Sequence, residues 1–174
     1  MHSKSSIIIL GGGCFWCTEA IFTHVPGVLS AEPGYAGGHM PHPTYDDVCT
    51  GTTGHAEVVR VTFDPDIVSL ERILSLFFSL HNPTTLNQQG PDVGTQYRSL
   101  ILWTDEGQKK YISAAMRKAE QEYGTPVTTE VKPFNAFYPA EVNHQQYYVK
   151  NPHAPYCAIV IGPKLMKLRE MLMA

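Results

Sequence analysis

Strand-like and helix-like segments alternate along this chain, which predicts a single α/β or α+β domain. Three observations carry that expectation. The 174 residues suffice for one domain with a full core, and 43% hydrophobic with 17% charged residues is the composition of a folded protein. Short apolar runs alternate with segments whose apolar residues recur every three to four positions. No repeat, low-complexity tract or linker divides the chain, so residues 1–174 read as one unit.

The elements follow in order. "SSIIIL" (5–10) reads as a short buried strand. A helix is expected from Cys14 to Val25, with Phe15, Ala20, Ile21 and Phe22 on its apolar face and Pro26-Gly27 stopping it. "EVVRVTF" (57–63) alternates as a strand does. In "SLERILSLFFSLH" (69–81), Leu70, Ile73, Leu74 and Phe77 form a helical stripe. "RSLILWT" (98–104) predicts another strand. A helix is then expected from Asp105, an N-cap with Gln108 three positions on, to Tyr123, with Gly124 and Pro126 as stop signals. "TTEVKPF" (128–134) reads as a strand whose proline confines it to an edge or a strand end. "EVNHQQYYV" (141–149) predicts a short helix, and "KLMKLREMLM" an amphipathic one. Two long polar-aromatic stretches, 34–57 and 81–99, read as loops, the usual place for a site on a compact domain.

Charge and cysteine usage narrow the function classes. A net charge of −3 with scattered Lys and Arg marks no surface for nucleic acid. The start, "MHSKSSIIILGGG", has only four consecutive apolar residues, too few for a secretory signal, and no later run approaches a membrane span. A soluble, cytoplasmic protein is expected. Four cysteines, Cys14, Cys17, Cys49 and Cys157, are too few and uneven for a secreted disulfide scaffold; in a reducing compartment they are catalytic, metal-binding or buried.

"GGGCFWC" (11–17) concentrates the chemistry. A dinucleotide turn is rejected because Trp16 occupies the fingerprint's third glycine position. A metal site is rejected because His39 and His42, the nearest partners for Cys14 and Cys17, fit no common zinc spacing. Burial as plain core cysteines suits Cys17 and Cys49 better than Cys14, which opens its helix. There, helix N–H groups and the positive dipole end are expected to favour the thiolate and lower its pKa. Phe15 and Trp16 would wall the sulfur with apolar surface fit for a methyl group. Glu57, at a strand start, is expected to be partly buried with a raised pKa, and a protonated carboxylic acid donates a proton. Tyr45, Tyr97 and Asp92, from the two loops, can hydrogen-bond an oxygen.

"GGGCFWC", "GYAGG", "TYDDVCTGTTGHAEVVRVTFDP", "FFSLHNPT", "NQQGPDVGTQYRS" and, further on, "PAEVNHQQYY" and the "YC" at Cys157 together resemble the A-type methionine sulfoxide reductases, the peptide-methionine (S)-S-oxide reductases. The resemblance implies an α+β fold: a two-layer α/β roll of ferredoxin-like character around a mixed sheet. It implies reduction of methionine S-sulfoxide, protein-bound and free, without cofactor. Cys14 would attack the sulfur and become a sulfenic acid, Glu57 would supply the proton, and Tyr45 and Tyr97 would hold the oxygen. Asp92 would lend a supporting hydrogen bond, and Phe15 and Trp16 would receive the methyl. Cys157 matches the resolving cysteine on a mobile C-terminal segment from about residue 150, with thioredoxin or another dithiol reopening the disulfide. A monomer is implied, with oxidised proteins, free methionine sulfoxide and thioredoxin as partners. The chain departs from the pattern in having Cys17 where many relatives have glycine, which makes Cys17 the alternative resolving thiol. It also leaves a plain thiol-disulfide oxidoreductase using Cys14 and Cys17 as the alternative activity. "EVNHQ" replaces the usual Asp-Tyr before His144.

Overall fold

Ile8, Ile9 and Leu10 are consecutive and all fully buried, which requires a strand covered on both faces. They lie in β1 (Ser6–Gly11), at the centre of a six-stranded sheet. The computed structural model describes residues 4–174; residues 1–3, part of the stretch read above for a secretory signal, lie outside the described residues. In chain order the elements are β1, α1 (Phe15–Thr23), β2 (Val28–Ala36), α2 (Tyr45–Cys49), β3 (Ala56–Phe63), α3 (Leu70–Ser79), β4 (Gln88–Gln89), β5 (Asp92–Val93), β6 (Leu100–Trp103), α4 (Lys109–Tyr123), β7 (Glu130–Pro133), β8 (Phe137–Pro139), α5 (Tyr147–Lys150) and α6 (Gly162–Met173).

The sheet order is β7-β6-β1-β3-β2-β8; every pairing is antiparallel except β6 with β7. The sheet is therefore mixed and the fold α+β. The four central strands, β6-β1-β3-β2, with α1 and α3 as their crossovers, have the split β-α-β arrangement compatible with ferredoxin-like character. The period of two sorts the side chains onto two layers. Ile8, Leu10, Val59, Val61 and Phe63 face the large core with Phe15, Phe22, Leu74 and Phe77 of the helices. Ile9, Val58, Leu100 and Leu102 face a smaller cluster closed by Phe134 and Phe137.

Most elements lie where the sequence places them. Helix α3 is capped by the Ser69 hydroxyl, which accepts from Arg72 N–H at 3.1 Å. Helix α4 stops at Gly124 in the left-handed region, φ 70°. Asp105 does cap, but over a 3-10 turn at Glu106–Gln108 that precedes α4, and the Gln108 side chain reaches back to Thr104 N–H at 2.8 Å. Strand β7 is an edge strand that ends at its proline. The 141–149 stretch divides into a 3-10 turn, Val142–His144, and α5.

The largest departure is β2. Nothing marks a strand at 28–36 in the sequence reading, and residues 34–36 are counted there with a loop. Pro33 and Gly34 hide the strand, because both are poor strand formers. The glycine is needed, since a Cβ at Gly34 would stand 2.6 Å from the Tyr138 carbonyl oxygen of β8 and collide with the Phe137 ring. Residues 45–49, also read as loop, form α2, closed by a capping box between Thr44 and Asp47.

Candidate active site

The site is built where β1 runs out. Gly12 and Gly13 turn the chain into Cys14, which is the N-cap of α1, so Phe15, Trp16 and Cys17 form its first turn. Gly13 has φ 97°, and a Cβ there would lie 2.7 Å from the Gln89 side chain. That contact brings the second polar stretch onto the first: Gln89 also bonds both ways with the Asn82 backbone, at 3.0 and 2.9 Å. The β4–β5 hairpin is thereby fixed over the glycine turn, and Asp92 begins β5 opposite Gln89.

Strand register brings in the acid. β1 pairs with β3 so that Leu10 faces Val59; continued two residues, the same register sets Glu57 across from Gly12. Glu57 is 1% exposed, and its Oε1 accepts from the Phe15 N–H at 3.1 Å. That N–H is one of the free donors every helix start leaves. Burial pushes the Glu57 carboxyl up to about 8; the Phe15 N–H pulls the other way, and the charge of Asp92 adds to the rise. Glu57 therefore carries its proton at neutral pH.

Cys14 is 8% exposed, and its thiol differs from the sequence expectation. Burial, with the negative charge of Glu57 next, pushes its pKa well above the ordinary value, and hydrogen bonding by the Trp16 N–H only partly offsets this. Desolvation of a thiolate outweighs the helix end here. The substrate-free site holds both protons, on sulfur and on carboxyl.

The remaining expected residues gather at the same place. Tyr97 ends a 3-10 turn directly after the hairpin, half-buried, its hydroxyl pKa raised by burial and then by the charges of Glu57, Cys14 and Asp92. Tyr45 opens α2; burial and then the Cys49 thiol raise its hydroxyl. Asp92 accepts from the Tyr156 hydroxyl at 2.7 Å. Phe15 points into the core, its ring 5.7 Å from Tyr35 and 5.4 Å from His144. Trp16 is half-exposed and stacks on Tyr147 at 3.6 Å and 4° between planes, with Tyr156 edge-on at 5.8 Å.

Five neighbours assigned no role from sequence complete the wall: Tyr35, Glu141, His144, Tyr147 and Tyr156. The Trp16 indole N–H donates to His144 Nδ1 at 3.1 Å, and the His144 ring is 4.4 Å from Tyr45. Glu141 accepts from the Tyr35 hydroxyl and the Tyr45 N–H, each at 2.9 Å. All five lie within "GYAGG", "PAEVNHQQYY" and "YC", and membership of those runs is the signal that points to them.

All four cysteines are free thiols. Cys17 and Cys157 are buried together with Ala20 and Ile161, in a cluster under Trp16. Cys49, expected to be a buried structural residue, is exposed at the end of α2. Among the described residues no three His, Cys, Asp or Glu side chains are grouped to hold a metal ion, and no helix is long and apolar enough to cross a membrane.

An α+β domain that sets a thiol against a buried, protonated carboxylic acid under aromatic rings is a cysteine-dependent oxidoreductase. Comparison with known proteins gives the family: residues 6–174 match peptide methionine sulfoxide reductase, and the chain belongs to that family. It is 55% identical to the peptide methionine sulfoxide reductase MsrA of Saccharolobus solfataricus over 95% of this chain and 93% of that protein. An MsrA of Thermus thermophilus is 52% identical, over 94% of this chain and 93% of that protein. Among solved structures, Mxr1 of Saccharomyces cerevisiae in reduced form superposes with a TM-score of 0.84 at 34% identity, covering 90% of this chain and 91% of that one. Mxr1 has also been solved in complex with Trx2.

Proposed function

We propose that this chain reduces the S epimer of methionine sulfoxide, free or in proteins, through a sulfenic acid on Cys14. The observation that carries the reading is the buried Glu57 carboxyl, protonated up to about pH 8 and bonded to the residue that follows Cys14.

The chemistry follows from that pair. A sulfoxide sulfur resists nucleophiles until its oxygen gains a proton. Glu57 gives its proton to the oxygen, and Tyr45 and Tyr97 donate hydrogen bonds to it. The Cys14 sulfur attacks, and its own proton replaces the one Glu57 has lost. The oxygen passes from one sulfur to the other: the substrate S–O bond breaks, a Cys14 S–O bond forms, and methionine leaves two electrons richer. Because the Cys14 thiol starts protonated, attack and proton transfer are coupled. Trp16, held by His144 and Tyr147, together with Phe15, walls the space for the methyl group. Fixing methyl and oxygen at once selects one epimer.

A neighbouring thiol, Cys157 or Cys17, then condenses with the sulfenic acid, and thioredoxin reopens the disulfide by exchange. The Mxr1–Trx2 complex supports thioredoxin as the reductant. For Cys157 to meet Cys14 the segment from about residue 150 must move. The working unit is a cytoplasmic monomer.

The test is a single turnover without reductant. Reduced protein mixed with each epimer of a methionine sulfoxide peptide should release about one methionine per chain from the S epimer alone. No methionine from either epimer would overturn the assignment.

A further inference from the structure

Cys17 is unusual in having a cation beside it. Helix α6 begins just after the wide turn Cys157–Ile161, and in its first turn Lys164 comes back toward α1. Lys164 and Cys17 line the same small, partly open cavity, about 10 Å³, with Gly12, Thr18, Phe77 and His81. Among the described residues no carboxylate pairs with Lys164, whereas Lys167, one turn on, is occupied by the Ser79 carbonyl at 2.7 Å. A half-buried lysine that lines the same cavity as a buried thiol and has no carboxylate partner among the described residues favours the thiolate.

The other groups facing Cys17 are Cys14 on its own helix, Asp92 from the hairpin, Tyr156 and Cys157 from the C-terminal segment, and His81 behind the cavity. Burial pushes the Cys17 thiol up; Lys164 is the largest influence in the opposite direction, followed by the Tyr156 hydroxyl, 3.6 Å from Cys17 Sγ. Asp92 and Cys157 add to the rise. His81, pushed down to about 4 by burial, is neutral.

Backbone geometry places Cys17 within reach of Cys14. The Cys17 N–H bonds to the Cys14 carbonyl at 3.1 Å, closing one turn. Residues three apart on such a turn have Cβ atoms about 5–6 Å apart, wider than the roughly 3.5–4.5 Å of a disulfide, so the bond closes with a small backbone shift at the helix start, where Cys14 is the N-cap behind the Gly12–Gly13 turn. Cys157 packs with Cys17 and enters from the distant C-terminal segment, whereas Cys17 is one turn from Cys14 on the same helix.

We propose that Lys164 is a positioning residue for the second half of the cycle: it steadies the Cys17 thiolate and so makes Cys17, rather than Cys157, the thiol that resolves the sulfenic acid. This rests on the reading of Cys14 as the nucleophile. In the step, the Cys17 sulfur attacks the Cys14 sulfur, the S–S bond forms and the S–O bond breaks. The hydroxide leaves as water with the proton Cys17 has given up, and the sulfenic acid is reduced as Cys17 is oxidised.

The experiment is a single turnover of the full chain with an S-sulfoxide peptide, no reductant, from pH 6 to 9.5, with methionine counted and disulfides mapped in time. Native protein, Lys164→Met and Lys164→Arg should all give the methionine burst, which also reports that each is folded. Cys14–Cys17 should be the first disulfide. In Lys164→Met its rate profile should move up by about half to one pH unit, roughly three- to tenfold slower at neutral pH, and Lys164→Arg should restore it. A purely structural role would slow the step without moving the profile, and would overturn the proposal. So would a first disulfide mapped to Cys14–Cys157 with Cys17 still free. Absence of the burst in native protein would instead remove the Cys14 reading beneath it.

Discussion

The two halves of the site are held by different forces. Cys14 and Glu57 are placed by backbone: a strand register, a glycine turn and a helix start, all tied to the buried centre of the sheet. The segment from His144 to Cys157 is placed by side chains, through the Trp16–Tyr147 stack, the Trp16–His144 bond, the Tyr156–Asp92 bond and the Cys17–Cys157 packing. Chemistry that needs reacting atoms fixed within a fraction of an ångström belongs to the first half. Substrate capture, which needs adjustment, belongs to the second.

Damage to the first half should break this contrast open. Cys14→Ser should abolish methionine release in single turnover. Glu57→Gln should slow it about a hundredfold or more, the scale of lost general-acid help. The same substitution should also alter stability. Between pH 4.5, the ordinary carboxyl value, and about 8, the folded protein keeps a proton that the unfolded chain has released. Native stability therefore falls as pH rises through that window, by an amount on the order of 5 kcal/mol at most. Thermal melts should show Glu57→Gln gaining on the native protein from pH 5 to 8.

Changes in the second half should be milder and fall on binding. An indole N–H only donates, so His144 Nδ1 must be the bare acceptor and the ring neutral. Burial lowers the His144 pKa, against the pull of Glu141, which keeps the acceptor available down to acid pH. His144→Phe should raise KM about tenfold, the cost of a partly buried donor left unpaired and a pocket wall left loose, with little change in kcat. In the native protein KM should rise only once His144 protonates. The smallest effect is expected for Cys157→Ser, whose first-turnover methionine burst should match the native one within about twofold; a large loss there would erase the distinction between the halves.

The same contrast explains what the sequence discloses. Helices α3 and α4 carry strong helical periodicity, and β1, β3, β6 and α1 carry short apolar runs bounded by turn residues, so these elements are legible. β2 is not, because Pro33 and Gly34 answer to the close crossing of β8, a contact between distant residues. Cys14, Glu57, Tyr45, Tyr97, Asp92, Phe15 and Trp16 are legible as reactive types in turn-rich stretches and do come together. His144, Tyr147 and Tyr156 are ordinary residues in an irregular segment, and only their docking onto Trp16 gives them a role. The Cys14 thiol shows the limit of local reasoning: a helix start predicts a lowered pKa, and burial beside Glu57 reverses it.

The most direct test of the central claim, that Glu57 is the acid for Cys14, is the rate of the methionine burst from an S-sulfoxide peptide between pH 5 and 9.5, native protein against Glu57→Gln. The native rate should fall above about pH 8 as Glu57 loses its proton, while the variant is slow throughout and lacks that limb. Equal rates, or the same alkaline limb in both, would contradict the account.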